Sequence, residues 1–220
     1  MNDVFANRAD AGRRLARELL QRKWRNPVVL GVPCGGVAVA VEVAHALRAP
    51  MDLVLVRKIG ARGNPELAVG AIAEGAGCEP VLDLEAMEMT GTYRNYVEAR
   101  ARSELDEIAR RRVLYLRGRE PVPLAGCTAI IVDDGLATGT TARAVVKAVR
   151  ARRPAQLVLA VPVASRQAVA ALTPEVDLLV CLSQPAVFSA VGVHYGDFHQ
   201  LCDDGVRHGQ RLLVSSRCCA

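Results

Sequence analysis

Apolar runs alternate with helical patterns along most of the chain. A short continuous apolar run is typical of a strand buried on both faces, and apolar residues spaced three or four apart are typical of a helix packed on one side. The predicted strands cover residues 26–33, 51–57, 127–134, 155–163 and 176–182. The predicted helices cover residues 9–24, 36–48, 93–112, 140–153 and 165–173. This order predicts an α/β fold, with an open, mostly parallel, twisted sheet flanked by helices.

The pattern loosens between residues 60 and 125. This segment is rich in glycine near its start, and before its long helix it offers only a possible short strand at 69–73 and another at 80–84. We therefore expect a flexible loop and a small irregular hood over residues 60–125 and 184–220, beside a core over residues 26–60 and 125–183. The length of 220 residues fits a single domain.

The composition narrows the classes of partner. The net charge is +5 and only 4% of residues are aromatic, so few side chains could stack on nucleic-acid bases. The densest basic run, residues 94–119, is interleaved with acidic residues and favours a solvated helix face. No apolar run is long enough to span a membrane, and the N-terminal residues carry charges throughout. We expect a cytoplasmic protein with no membrane or nucleic-acid partner, and the basic excess suits a small polyanionic ligand.

The stretch AIIVDDGLATGTT, residues 129–141, carries the clearest chemistry. A buried strand that ends on Asp133 and Asp134 places two like charges side by side, which costs free energy unless a cation or hydroxyl groups contact them. Glycines in the next loop allow close approach of a ligand, and the following helix points its free N–H groups at that loop. Phosphate beside the loop and a diol beside the acids describe a ribose 5-phosphate. The residues assigned to this phosphate loop are Gly135, Ala137, Thr138, Gly139, Thr140 and Thr141.

Three other classes of site fit the sequence less well. A strand ending in IVDD also opens receiver domains, but there the acid pair stands near the start of the domain, and here more than a hundred residues precede it. A nucleotide-binding P-loop would need GxxxxGK[ST], which the chain lacks. A dinucleotide site would need GxGxxG after the first strand, where this chain has GVPCGG.

Apolar residues followed by DD, three further residues and TGTT resemble the 5-phosphoribosyl-1-diphosphate (PRPP) motif of the type I phosphoribosyltransferases, with the adenine-type lettering that places Ala137 before TG. The resemblance implies that Asp133 and Asp134 hold the ribose hydroxyls and that residues 137–141 hold the 5-phosphate. It also implies Mg²⁺ as cofactor, with Asp134 as an indirect metal contact. A homodimer is one assembly that the resemblance allows.

GVPCGG resembles the family's pyrophosphate loop, here Cys34, Gly35 and Gly36. Many relatives carry a basic residue where this chain has Cys34, so pyrophosphate binding would depend on backbone N–H groups; a plain strand-to-helix turn stays open as an alternative. VRKIGARGNPELAVG, residues 56–70, is similar to a segment whose basic residues reach pyrophosphate and whose mobile loop closes the site. Arg57 and Lys58 are the candidates there, and ordinary strand-end residues are the alternative.

The segment FSAVGVHYGDFHQ, residues 188–200, is loosely similar to the family segment that flanks the nucleobase. Phe188 or Tyr195 could stack on a base, and Asp197 could contact Mg²⁺ or pyrophosphate. Core packing explains the two aromatic residues equally well.

The resemblance implies transfer of 5-phosphoribosyl from PRPP to a nitrogenous acceptor, such as a nucleobase, with release of pyrophosphate. Hypoxanthine-type relatives have an Asp before TG, and Ala137 argues against a 6-oxopurine acceptor. A non-catalytic regulator that senses PRPP on the same fold is the alternative. Such regulators usually carry a DNA-binding appendage, and the N-terminal 25 residues are too few for a helix-turn-helix.

Overall fold

A computed structural model describes residues 5–75, 79–116 and 119–199. Its helices are α1 (Arg8–Leu20), α2 (Gly35–Leu47), α3 (Leu84–Thr90), α4 (Arg94–Leu116), α5 (Thr140–Ala151) and α6 (Arg166–Leu172), with short 3-10 helices at Thr173–Glu175 and Val191–His194. Its strands are β1 (Pro27–Gly31), β2 (Met51–Leu53), β3 (Val56–Ala61), β4 (Asn64–Ala73), β5 (Val81–Leu82), β6 (Thr128–Val132), β7 (Gln156–Val163) and β8 (Leu178–Ser183).

Five parallel strands form the main sheet in the order β2-β1-β6-β7-β8. Alternate residues of its strands face opposite layers. Val29, Ile130 and Val158 pack with α1 and α2 on one face, while Leu30, Ile131 and Leu159 pack with α5 and α6 on the other. Burial on both faces explains why these strands read as continuous apolar runs. The predicted mostly parallel α/β fold is confirmed.

A second, antiparallel sheet has the order β3-β4-β5. The single strand predicted at 51–57 is therefore wrong in one respect, because the chain leaves the main sheet after Leu53 and begins a hairpin at Val56. Val54 and Leu55 between them are only 1% and 3% exposed, so the apolar run continues through the transfer and hides it.

The segment between residues 60 and 125 is more regular than its composition predicts. The segment expected to contain a mobile loop, residues 56–70, lies in the β3–β4 hairpin, and β5, α3 and the 23-residue α4 follow it. The sequence signal for α3 is Asp83, whose carboxylate accepts a hydrogen bond from the Ala86 N–H, as N-cap residues do.

Helix α4 carries much of the basic run at 94–119, and several of its arginines are paired with acidic residues of the same helix. Arg94 pairs with Glu98, Arg100 with Glu104, and both Arg110 and Arg111 with Glu107. This pattern is that of the solvated helix face predicted from the sequence. Among the described helices, none combines the length and apolar character needed to cross a membrane.

Candidate active site

The acid pair, Asp133 and Asp134, directly follows β6, the middle strand of the main sheet. The Asp134 N–H donates a hydrogen bond of 2.8 Å to Asp133 Oδ1. Both carboxylates therefore lie at the carboxyl edge of a parallel sheet, where open α/β folds bind their ligands.

The pKa of Asp133 depends on its burial and on its charged neighbours. Burial raises the pKa of Asp133 well above its usual range, and the neighbouring charge of Asp134 raises it further. The Asp134 N–H and the Lys58 ammonium act in the opposite direction on the pKa of Asp133. A ligand that brings hydroxyl or cationic groups to Asp133 would therefore favour its charged form.

The loop of Cys34, Gly35 and Gly36, which leads into α2, packs directly on the acid pair. A Cβ atom at position 35 would lie 1.8 Å from Asp134 Oδ2, and one at position 36 would lie 2.7 Å from the Val132 carbonyl oxygen. The backbone of Val132 leaves no room for a side chain at position 36, and a side chain at position 35 would have to displace the Asp134 carboxylate. The two glycine-rich loops therefore meet at the acid pair, and the assignment of residues 34–36 to pyrophosphate stays a prediction.

The phosphate loop, residues 135–141, connects the acid pair to α5. Gly139, the N-cap of α5, has a φ of +83°, a backbone conformation that favours glycine. Ala137 and Thr138 are exposed, and Thr141 lies half-buried in the first helical turn. Exposed backbone at the start of a 12-residue helix is the arrangement that binds phosphate.

Thr140 and Gly135 tie the phosphate loop to other elements. The Thr140 hydroxyl donates to Asp83 Oδ2 at 2.9 Å, and its oxygen lies 3.2 Å from that of Thr138. A Cβ atom at position 135 would lie 2.6 Å from a methyl carbon of Val191. The loop is thus held between the N-terminus of α3 and the chain segment that follows β8.

Arg57 and Lys58 face opposite ways because successive strand residues do. Lys58 is exposed on the side of the acid pair, where its charge acts on Asp133. Arg57 points to α4, and its Nε donates to Glu104 Oε2 at 2.8 Å. The structure pairs Arg57 with Glu104 of α4, while the charge of Lys58 acts on Asp133. That both residues reach pyrophosphate stays a prediction.

Arg8, the first residue of α1, lies against Asp134 and escaped the sequence analysis. Its Nε is 2.8 Å from Asp134 Oδ2, and the two side chains are only 10% and 15% exposed. Its Nη1 donates to the His199 carbonyl oxygen at 2.9 Å, and its guanidinium carbon lies 3.7 Å from the centroid of the Phe198 ring. The contact joins residues 126 positions apart, which no local pattern reveals.

The segment 188–199 closes the same side of the site. Tyr195 is 6% exposed, its hydroxyl donates to the Asp134 carbonyl oxygen at 2.5 Å, and its ring packs against Phe5 and Phe198. Burial raises the pKa of Tyr195 far above its usual value. Tyr195 therefore supports the acid pair from behind, and the core-packing interpretation fits it better than base stacking.

The other two candidates of this segment lie farther from the acids. The half-buried Phe188 ring stacks on the His194 ring with centroids 5.3 Å apart. Asp197 is exposed and contacts the His199 ring, which lowers the pKa of Asp197 and raises that of His199. Neither residue touches the acid pair in a described contact. Gln200 lies outside the described residues.

Comparison with known proteins agrees with this geometry. The family model described as "Phosphoribosyl transferase domain" matches residues 2–194. The chain therefore belongs to the phosphoribosyltransferase family, which the sequence pattern at 129–141 indicated.

Individual relatives resemble much of the chain. Two Mycobacterium tuberculosis proteins, each named "Putative phosphoribosyl transferase", from strains CDC 1551 / Oshkosh and ATCC 25618 / H37Rv, are 45% identical over 203 residues, or 92% of this chain. The chain spans 45% of the length of these two relatives. The crystal structure of TT1426 from Thermus thermophilus has 41% sequence identity and a TM-score of 0.77, covering 94% of this chain and 97% of that chain.

Proposed function

We propose that the protein transfers the 5-phosphoribosyl group of PRPP to a nitrogenous acceptor, such as a nucleobase, and releases pyrophosphate. The observation that carries this proposal is the close approach of Gly35 to Asp134, since it joins the loop at 34–36 to the acid pair and, through the acid pair, to the phosphate loop.

The three parts of the site match the three parts of PRPP. The 5-phosphate would accept hydrogen bonds from the backbone N–H groups of the phosphate loop and from Thr138 and Thr141. The ribose 2- and 3-hydroxyls would donate to Asp133 and Asp134. The diphosphate would lie on the N–H groups that begin α2, where the positive end of the helix dipole favours an anion.

The reaction breaks the bond from C1 of the ribose to the diphosphate oxygen and forms a bond from C1 to the acceptor nitrogen. The electron pair of the broken bond leaves with pyrophosphate, and the acceptor nitrogen loses a proton. Positive charge develops on the ribose and negative charge on the leaving group, so positioning and electrostatic stabilisation supply the catalysis. Lys58 is the candidate cation for the leaving group. Arg57 holds β3 against α4 through its ion pair with Glu104.

The donor set of the acid pair fits Mg²⁺ bound together with the substrate. Mg²⁺ prefers oxygen ligands and is usually held by one or two carboxylates plus substrate phosphates. Within the described residues no group of three or more metal-ligating side chains is present, which agrees with a metal that arrives with PRPP. When bound, the ion would neutralise charge on the diphosphate, and Asp134 would hold it indirectly.

A panel assay tests the proposal. The protein would be incubated with PRPP, Mg²⁺ and single purine or pyrimidine bases, and pyrophosphate release would be measured. Release with one base and not with PRPP alone would identify the acceptor and support the enzyme. Saturable PRPP binding with no release on any base would favour the regulator, and salt-sensitive binding of RNA or DNA would strengthen that alternative. A cytoplasmic location and a homodimer remain predictions.

A further inference from the structure

The loop at 34–36 contributes no cationic side chain to the expected diphosphate position. Its residues are Cys34, Gly35 and Gly36, so it offers backbone N–H groups alone. A diphosphate is strongly anionic, and in a partly buried site its charge needs a positive partner. Lys58 of β3 is one candidate cation from another element, and a second cation near residues 34–36 would add to it.

Arg8 lies beside this loop in space. Gly35 lies so close to Asp134 that an added Cβ atom would strike Asp134 Oδ2. The same oxygen accepts a hydrogen bond of 2.8 Å from Arg8 Nε. One carboxylate oxygen thus lies close to both the pyrophosphate loop and the guanidinium.

The Arg8 guanidinium is held in one orientation, and one of its nitrogen atoms can still donate a hydrogen bond to a ligand. Its Nε bonds Asp134, its Nη1 bonds the His199 carbonyl oxygen, and the Phe198 ring covers one face. In the part of the chain that the structure describes, Arg8 Nη2 donates no hydrogen bond. Arginine carries a planar fork of donors suited to binding two oxygen groups at once.

We propose that Arg8 is a pyrophosphate-binding residue that supplies the positive charge absent from residues 34–36. The inference rests on the proposed function. In the free protein the guanidinium neutralises Asp134, and in the complex it bridges Asp134 and the diphosphate. Binding of PRPP then requires no new buried cation, because the charge is already in place beside the loop.

The test compares ligands that contain the diphosphate with one that lacks it. PRPP, inorganic pyrophosphate and ribose 5-phosphate would each be titrated calorimetrically, with Mg²⁺ present, into the parent, Arg8→Met and Arg8→Lys. The matched control is Arg13→Met on the same helix, since Arg13 is 51% exposed and pairs with Glu42 at 3.5 Å.

We expect Arg8→Met to weaken binding of PRPP and pyrophosphate about 10- to 100-fold, as expected for losing hydrogen bonds between charged groups. Binding of ribose 5-phosphate should change by less than about threefold, because its phosphate lies at α5 and not at Arg8. Arg8→Lys should recover part of the loss, since it keeps the charge without the planar fork. Arg13→Met should match the parent.

Two results would overturn the inference. Unchanged binding of PRPP and pyrophosphate by Arg8→Met would remove Arg8 from the diphosphate site. A loss for PRPP and ribose 5-phosphate, with pyrophosphate binding unchanged, would show that Arg8 only holds Asp134 in place. Thermal melts identify variants that do not fold, and Arg8→Gln then replaces Arg8→Met. If the parent binds no PRPP, the proposed function fails, and pyrophosphate binding alone decides whether Arg8 forms an anion site.

Discussion

The two regions that surround the acid pair are held together differently. The loops at 34–36 and 135–141 approach their neighbours closely at glycines: a Cβ at position 36 would strike the backbone of Val132 and Asp133, and one at position 35 would strike the Asp134 carboxylate. The surrounding layer is fixed by side-chain pairs between distant residues: Arg8 with Asp134, Asp83 with Thr140, and Arg57 with Glu104. The first region tolerates almost no change of residue, whereas the second distributes its stability over contacts that can be lost one at a time.

The largest expected effect comes from Gly35→Ala, which breaks the backbone region. The new Cβ must displace Asp134, so we expect PRPP affinity to fall about 100-fold or more, and stability to fall by about 1–3 kcal/mol, the usual cost of overpacking. Calorimetry and denaturant unfolding would measure the two losses. The double variant Gly35→Ala with Asp134→Ala removes the clash and should regain stability without regaining affinity. If it stays as unstable as the single variant, the steric explanation is wrong.

The next largest effects are expected from the neighbouring basic residues of β3, because Lys58 should affect turnover and Arg57 should affect stability. Lys58→Met should lower turnover by about 10-fold or more with little change in stability, because Lys58 is exposed and its positive charge acts on Asp133. Arg57→Met should instead lower stability by about 1–3 kcal/mol, since Glu104 is 8% exposed and keeps only Arg100 as a described ion-pair partner. Steady-state kinetics and chemical unfolding would measure the two losses. Lost turnover in Arg57→Met together with lost stability in Lys58→Met would contradict this assignment.

Asp133→Asn should change stability and PRPP binding in opposite directions. The folded-state pKa of Asp133 is raised, so its protonated form is favoured on folding; stability from this group is full below the unfolded pKa and is lost as pH rises through the folded pKa. At pH 7 the variant should therefore be more stable than the parent, on the order of 1 kcal/mol, while it binds PRPP more weakly. Melting curves at pH 7 and pH 4 should show the gain shrinking at the lower pH. A less stable variant at pH 7 would contradict this account.

The smallest effect is expected on the outer face of α4. Arg110 and Arg111 lower the pKa of Glu107 to about 2 by hydrogen bonding to its carboxylate. A lowered folded-state pKa stabilises the protein above the unfolded value near 4.5 and loses that contribution as pH falls toward 2. Because the three side chains are 25–58% exposed, Glu107→Gln should cost only about 0.2–1 kcal/mol at pH 7. Urea unfolding would measure the loss of stability in Glu107→Gln, which should be the same with and without PRPP. A larger loss in the presence of PRPP would mean that α4 is coupled to the site.

The same contrast explains what the sequence reveals. The parallel sheet and the acid pair follow from continuous apolar runs that end on charged residues, and the glycine loops follow from their composition. The β3–β4 hairpin is hidden because Val54 and Leu55 extend an apolar run through the change of sheet. Arg8 is hidden because its partner stands 126 residues away, so only the fold joins them. Asp83 could have been found from its N-cap position before α3.

The central claim is that the acid pair and the two loops form one PRPP site. Calorimetric titration of PRPP with Mg²⁺ into the parent and into the double variant Asp133→Asn with Asp134→Asn tests this most directly. The account predicts saturable, Mg²⁺-dependent binding to the parent and no measurable binding to a double variant that retains its fold by circular dichroism. Equal PRPP binding by the two proteins would contradict the assignment of the site, and no binding to the parent would contradict the proposed function.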